Sequence, residues 1–521
     1  MNTSSDALQM ANTYIETHAG MVNQTFRHKL HLMPPIGWMN DPNGFCIYQG
    51  EYHLFYQYYP YGTFWGPMYW GHARSLDLIS WEDMPVALAP GESYDREGVF
   101  SGSALVVNGE LCLYYTGYTD TKQRREYDES LRKRLEPQVP ECKETDITRQ
   151  VQCLAVSSDG VHFNKYSNNP VAGSSLVPEH GRIEDFRDPK VWMHDGKYYM
   201  VCGSKSKDSI GQALFYTSDD GLNWQYLNGM SIQKDYGTAW ECPDLFELGG
   251  SQVLIFSPQY KPRLGCSFEN IHSVIAFIGN FNYSSGVFDI ENIQELDQGF
   301  DFYAPQTIEG MDGSRILIAW MNMWERAYIL SEENHGWNGS MTLPRKLTIR
   351  NKHIYQWPVD ALQAYRHEAY NLHNSVIEGE WTCTEMNGNL ADLDMSFTIM
   401  TGNTFEISFF TGASDQLLLT FDKSRDLVIL NRAESARPVR SLNRADDFSR
   451  SFRMDCSGPI HLRAILDVSS LELFFHMGRF TMTGLFFPEE SSRRIELRTE
   501  GKVRIHDLTK WNIRAGDRGN R

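Results

Sequence analysis

Trp38-Met39-Asn40-Asp41-Pro42-Asn43-Gly44 sets an aromatic ring, two amides and one carboxylate beside a proline and a glycine. That mixture suits a rigid turn that presents an acid to a small polar ligand. Asp-Pro and Asn-Gly alone mark only a loop. Acidic and aromatic positions recur further along the chain, however, at matching points of a repeated unit.

The repeat is a glycine followed closely by an apolar strand, at Gly50, Gly109, Gly196, Gly250 and Gly313. Before each glycine runs a strand-like segment, opening on Asn40-Asp41, Phe100-Ser101, Arg187-Asp188, Glu241-Cys242 and Phe302-Tyr303. Third and fourth strands joined by a turn follow in several units, as in His72 to Asp77 into Trp81, Leu154 to Gly160 into Phe163, and Phe215 to Gly221 into Trp224. Four short antiparallel strands repeated five times predict an all-β fold, a five-bladed β-propeller. A sandwich with coincidental glycines would not keep five units in phase.

The rest of the chain fits around that unit. Residues 1–30 form an extension, with a short amphipathic helix expected over Ser4 to Val22 as a clasp or interface piece. The propeller is expected over 31–355 and a linker over 356–370, with a helical connector from Val359 to Glu368. A β-sandwich over 371–521 follows from period-two alternation in segments such as Phe405 to Phe409 and Leu471 to Phe475. The sandwich lacks a cluster of convergent acids, so its expected role is structural.

Composition narrows the partners. A chain of 521 residues exceeds one compact core. A net charge of -18 disfavours nucleic acid and anionic membranes, so a neutral small-molecule substrate is the easier fit. No stretch approaches the ~20 apolar residues needed to span a bilayer, and the N-terminal segment does not read as a secretory signal. Nine scattered cysteines without CxxC pairs, of which Cys242 reads as a small buried hydrophobe, point to reduced thiols and a cytoplasmic protein. His53 and His72 have no metal-ligand spacing and are expected to be structural.

In a propeller the first strand of each blade lies innermost, so Asp41, Asp188 and Glu241 are predicted to share one mouth of the central channel. The loops between second and third strands lie on the same face, bringing Gln57, Trp65 and Trp70 to the rim. The charged insertion from Asp120 to Arg149 lies there too, as a solvated face or a contact with substrate or a neighbouring subunit. Three carboxylates ringed by Trp and Gln suit glycosidic hydrolysis, which needs one carboxylate at the anomeric carbon and one protonated acid at the leaving oxygen. Asp41 suits the nucleophile. Glu241, crowded by Asp41 and Trp240, suits an acid with a raised pKa. Asp188, beside Arg187, is expected to stay ionised.

Trp38 to Gly44, Phe100-Ser101-Gly102-Ser103, Phe186-Arg187-Asp188-Pro189 and Glu241-Cys242-Pro243-Asp244 together resemble glycoside hydrolase family 32, the invertases and other β-fructofuranosidases. Supporting blocks are Trp70-Gly71-His72-Ala73, Phe302 to Gln306, and Leu343-Pro344-Arg345. Asp467 to Glu472, with Gly478 and Phe487-Pro488, is similar to the family's C-terminal sandwich. The resemblance implies a five-bladed propeller followed by a sandwich, retaining chemistry, and no metal or organic cofactor. By motif it implies Asp41 as nucleophile, Glu241 as general acid/base and Asp188 as transition-state stabiliser. Trp38, Met39, Asn40, Gln57, Trp65, Phe100, Ser101, Arg187, Tyr303 and Trp320 are the residues it implies for binding the sugar.

Tyr69, where His is commoner, and the long insertion both depart from the family near the rim. They leave open sucrose, sucrose 6-phosphate or short fructo-oligosaccharides as substrate. Lys205, Lys207, Lys261 and Arg263 are candidates for capturing a phosphate. Fructosyl transfer through the same intermediate is the alternative activity, and a non-catalytic sugar-binding propeller has no need of all three acids. The sandwich and insertion also leave room for a homo-oligomer.

Overall fold

A computed structural model of the chain describes residues 4–122, 148–232, 236–445 and 447–514. Five four-stranded antiparallel sheets follow one another from Gly37 to Pro358. Their inner strands are Gly37–Tyr48, Gly98–Val107, Gly181–His194, Ala239–Leu248 and Tyr303–Glu309. Neighbouring inner strands contact one another in sequence order, and the first meets the fifth, so the ring closes. Trp337–Asn338 closes it further by pairing in parallel with Gly37 and Trp38.

Local chemistry explains why each unit folds alike. All five repeat glycines take positive φ, from 76° to 85°, in the turn between first and second strands. In four blades the preceding residue (Gln49, Asn108, Asp195 or Gly249) is also left-handed. Two left-handed residues in a row match the right-handed twist of a hairpin. The third-strand turns repeat a different device: Ser75/Asp77, Ser157/Asp159 and Ser218/Asp220 each accept backbone N–H groups of the turn on a hydroxyl and a carboxylate.

Polar side chains tie the inner strands across the channel. Gln306 accepts the Phe45 N–H at 3.0 Å and donates to the Gly102 carbonyl at 2.6 Å. Lys190 donates to Asp244 at 3.1 Å and to the Thr307 carbonyl at 2.8 Å, linking the third, fourth and fifth blades.

The N-terminal helix is Ser4–His18, continued by one 3-10 turn at Ala19–Met21, and packs on the first blade's outer strand. The connector is helical, as expected, but shorter and of the 3-10 type. Over the segment expected to be helical, Val359 to Glu368, the chain makes a 3-10 turn at Asp360–Tyr365, and Arg366 already begins a strand. With seven residues between the propeller's last strand and the sandwich, a longer helix has no room. The sandwich is built around one long strand, Arg494–Ile513, which pairs with three others, and its core is rich in Phe and Leu. Residues 123–147 of the charged insertion, including Arg124, Arg125, Arg132, Lys133 and Arg134, lie outside the described residues.

Propeller and sandwich meet over a buried polar network. Asp467 accepts the Lys29 and Leu30 N–H groups at 2.9 and 2.8 Å and bonds His31 Nδ1 at 2.7 Å. Glu472 holds His31 Nε2 at 2.9 Å, the Leu343 N–H at 2.8 Å and Arg345 Nε at 3.1 Å. Arg345 reaches on to Asp297 at 3.1 Å. Burial alone would lower the His31 imidazole, but its two carboxylate partners outweigh that and push it up to about 9. His28, His31 and Asp467 bring possible ligand atoms within 4.8 Å of one another. With a carboxylate on each His31 nitrogen, the group stands as a hydrogen-bonded latch.

Arg345→Met would leave Asp297 buried without its cation and Glu472 with His31 alone. The expected loss is about 3–5 kcal/mol, read as a lower Tm; an unchanged Tm would show that the network does not hold the domains.

Candidate active site

Each inner strand breaks register at the same depth. Two residues bulge against one in four blades: Asn40-Asp41, Asp188-Pro189, Cys242-Pro243 and Ala304-Pro305. In the second blade Ser101 alone is inserted. A proline offers no N–H to a ladder, so it fits a bulge, and it bars the right-handed helical region to the residue before it. Asp188, Cys242 and Ala304 take φ of 59°, 47° and 49°. A left-handed non-glycine costs roughly 1–3 kcal/mol, and here a hydrogen bond pins each one. Thr116 Oγ accepts the Asp188 N–H (2.9 Å), Asp188 the Cys242 N–H (2.9 Å) and Ser257 Oγ the Ala304 N–H (3.2 Å).

The bulge sets the three acids at three adjacent levels. Glu241 stands just before its bulge, Asp188 is the first residue of its own, and Asp41 the second. All three line one cavity of about 640 Å³ at the channel mouth, with Asn40, Gln57, Trp65, Phe100, Ser101 and Arg187. Asp41 accepts hydrogen bonds from Ser101 Oγ at 2.8 Å and Asn40 Nδ2 at 3.1 Å, and Asn40 is itself fixed by Trp38 Nε1 at 2.7 Å. Glu241 accepts from Tyr303 OH at 2.6 Å and Arg187 Nε at 3.2 Å. The Cys242 thiol lies between two acids, 3.5 Å from Asp41 and 3.6 Å from Asp188. Burial and the three acids push it well above the usual thiol range, so it stays a proton donor.

The electrostatics differ from the sequence expectation. Arg187 turns toward Glu241, Asp185 (3.1 Å) and Gln150 (2.9 Å), away from a direct pair with its neighbour Asp188. Burial raises Asp188 to about 7, opposed by Arg187 and reinforced by the charges of Glu241 and Asp41. Burial and then Glu241 raise Asp41 to about 6 against its hydrogen bonds. Trp240, expected to crowd Glu241, stacks instead on Phe256 at 4.0 Å within the wall between blades.

Trp38, Met39, Tyr303 and Trp320 are buried behind the cavity wall and do not line it. Trp320 packs on Trp38 and on Trp324, and it is Trp324 that faces the cavity. Trp70 is buried too, donating to the Phe100 carbonyl at 3.1 Å. Trp65 does reach the rim, and Phe100 stacks on Tyr118 at 4.3 Å. His53 and His72 stack inside the first blade and bond each other at 2.9 Å. Lys205, Lys207, Lys261 and Arg263 do not line the cavity. Lys261 lies buried over the Phe268 ring, and Arg263 pairs with Glu269.

Tyr118, Gln150, Asp185, Tyr260, His272, Trp324 and Glu325 also line the cavity, unannounced by the sequence. Tyr260, Trp324 and Glu325 sit between second and third strands, where loop topology would have found them.

Residues 31–358 match the model of the glycosyl hydrolases family 32 N-terminal domain, and residues 361–512 match that of the family's C terminal domain. The chain belongs to glycosyl hydrolase family 32. Among family 32 relatives, a sucrose-6-phosphate hydrolase of Zymomonas mobilis is 35% identical, over 93% of this chain and 91% of its own. A raffinose invertase of Escherichia coli is 35% identical over 97% and 99%. The structure of a β-fructofuranosidase of Bombyx mori superposes with a TM-score of 0.79 at 33% identity, covering 98% of this chain and 99% of its own.

A buried acid raised above its unfolded value stabilises the fold fully below the unfolded pKa of about 4, and loses that contribution as pH rises through the folded value. Charged Asp188 therefore weakens the fold above pH about 7. Asp188→Asn is expected to raise Tm by a few degrees at pH 8 and not at pH 4; equal shifts at both would refute the charge account.

Proposed function

We propose that the protein is a retaining β-fructofuranosidase that releases the terminal fructosyl unit of unphosphorylated sugars such as sucrose, raffinose and short fructo-oligosaccharides. Asp41 attacks the anomeric carbon to form a fructosyl ester. Glu241 gives its proton to the leaving oxygen, then takes one from the attacking water. Asp188 holds the ring hydroxyls. Asn40 and Ser101 orient the nucleophile, and Tyr303 and Arg187 fix the plane of the Glu241 carboxyl.

Family membership supports the activity. One observation carries the choice of a neutral sugar: among the described residues, six carboxylates and one guanidinium line the cavity. Asp41, Glu184, Asp185, Asp188, Glu241 and Glu325 would face a phosphate, and Arg187 already bonds two of them. Relatives include sucrose-6-phosphate hydrolases and a raffinose invertase, and a family 32 β-fructofuranosidase of Bombyx mori has been solved in complex with sucrose. Unpaired cysteines, eight among the described residues, fit a cytoplasmic setting.

Purified protein is expected to cleave sucrose and raffinose with kcat/KM at least tenfold above that for sucrose 6-phosphate. Asp41→Ala should lose activity by a factor of about 10³ or more. Because Asp41 must be ionised to attack, kcat/KM should fall about tenfold per unit below pH about 6. Preference for the phosphorylated sugar would overturn the charge argument, and a flat profile down to pH 4.5 would overturn the role of Asp41.

A further inference from the structure

The wall of the cavity beyond Glu241 is held from the sandwich. Outward from Glu241 the rings run Tyr303, His272, Tyr260, with centroids 5.9 and 5.0 Å apart. Glu325 stands at the end of this row. Its Oε1 accepts the Tyr260 hydroxyl at 2.9 Å and lies 3.8 Å from His272 Nε2. Its Oε2 accepts Asn443 Nδ2, a group on the sandwich loop between Leu427–Glu434 and Ser449–Arg453. Its carbonyl accepts the Leu442 N–H at 2.8 Å, and the Ala327 N–H donates to the Arg440 carbonyl at 2.9 Å. Glu325 thus keeps a left-handed φ of 60° between two strands of contact with another domain.

The grip extends beneath the surface. Arg326, next in sequence, pairs with Asp301 at 3.2 Å, and sandwich Arg432 holds the other oxygen of Asp301 at 2.7 Å. Asn270 accepts both Arg326 and sandwich Arg450. The propeller segment carrying Trp324 and Glu325 is therefore clamped by three arginines, two from the sandwich.

We propose that Glu325 determines specificity for the leaving-group sugar, and that Asn443 of the sandwich is its positioning residue. The proposal rests on the fructosidase reading above. Asp41 and Asp188 form the floor, where the fructosyl unit must sit to be attacked. The leaving oxygen departs on the side of Glu241, and the residues outward from there meet the sugar attached to it. Tyr260 is 49% exposed and the Glu325 side chain 25% exposed, as a mouth position requires. A carboxylate oxygen has two acceptor sites. Each oxygen of Glu325 spends one on Tyr260 or Asn443 and keeps the other for a hydroxyl of the leaving sugar.

The test compares two substrates with the same fructosyl unit, sucrose and methyl β-D-fructofuranoside, whose leaving group has no ring hydroxyls. Glu325→Ala is expected to lower the ratio of their kcat/KM values about tenfold, the effect of one charge-assisted hydrogen bond. Glu325→Gln, which keeps one acceptor oxygen, should recover part of it. Asn443→Ala should lower the same ratio about threefold, through KM for sucrose more than kcat. Equal losses on both substrates would mean general damage to the site and would overturn the proposal, as would an unchanged ratio. If the wild-type protein cleaves neither substrate, the fructosidase reading fails and this proposal falls with it.

Discussion

The bulge at a common depth of all five inner strands is the constraint on which the site depends. A regular strand points successive side chains to opposite faces, so no ordinary pairing could set Asp41, Asp188 and Glu241 at one mouth from three adjacent register positions. The bulge inserts the needed residue, and the following proline fixes where it falls. Its strain is contained because the N–H of each left-handed residue is held by a neighbouring blade or strand. Two of those three bonds run through Asp188, so backbone geometry and acid chemistry share a residue.

This arrangement explains what could be read from the chain. Five glycine-led strands in phase marked the blades, because the left-handed position that ends each of these hairpin turns favours glycine. The same periodicity placed Asp41, Asp188 and Glu241 together. Orientation was harder. Arg187 is adjacent to Asp188 in sequence, yet the bulge that begins at Asp188 parts the two side chains, and the guanidinium meets Glu241. Trp240 neighbours Glu241 but alternation sends it into the wall. Trp70 and Trp320 follow the same rule, being strand residues on the face away from the cavity. The outer wall was the least legible, since Glu325 is held by a partner 118 residues away in another domain.

The sandwich accordingly does more than cover an exposed end. His31, Arg345, Asp297, Asp467 and Glu472 form a network in which most charges have at least two partners. Buried ion pairs add little net stability over apolar packing, but they penalise any other docking of the two domains. Only a fixed docking could carry the Asn443 contact to the cavity mouth with hydrogen-bond precision.

The crowding of acids has a consequence for the proposed reaction. Burial, and then repulsion among three carboxyls in one small space, raises Asp41 and Asp188. When Asp41 becomes an ester its charge disappears, and both neighbours are relieved of it. At that step Glu241 surrenders its proton to the leaving oxygen and gains a charge, which Arg187 at 3.2 Å is placed to meet. The negative charge lost at Asp41 is thus regained at Glu241, beside a fixed cation, with no net charge added to the buried site. Interactions that strengthen along the reaction path lower its barrier, and here they arise from the same crowding that costs the folded protein stability.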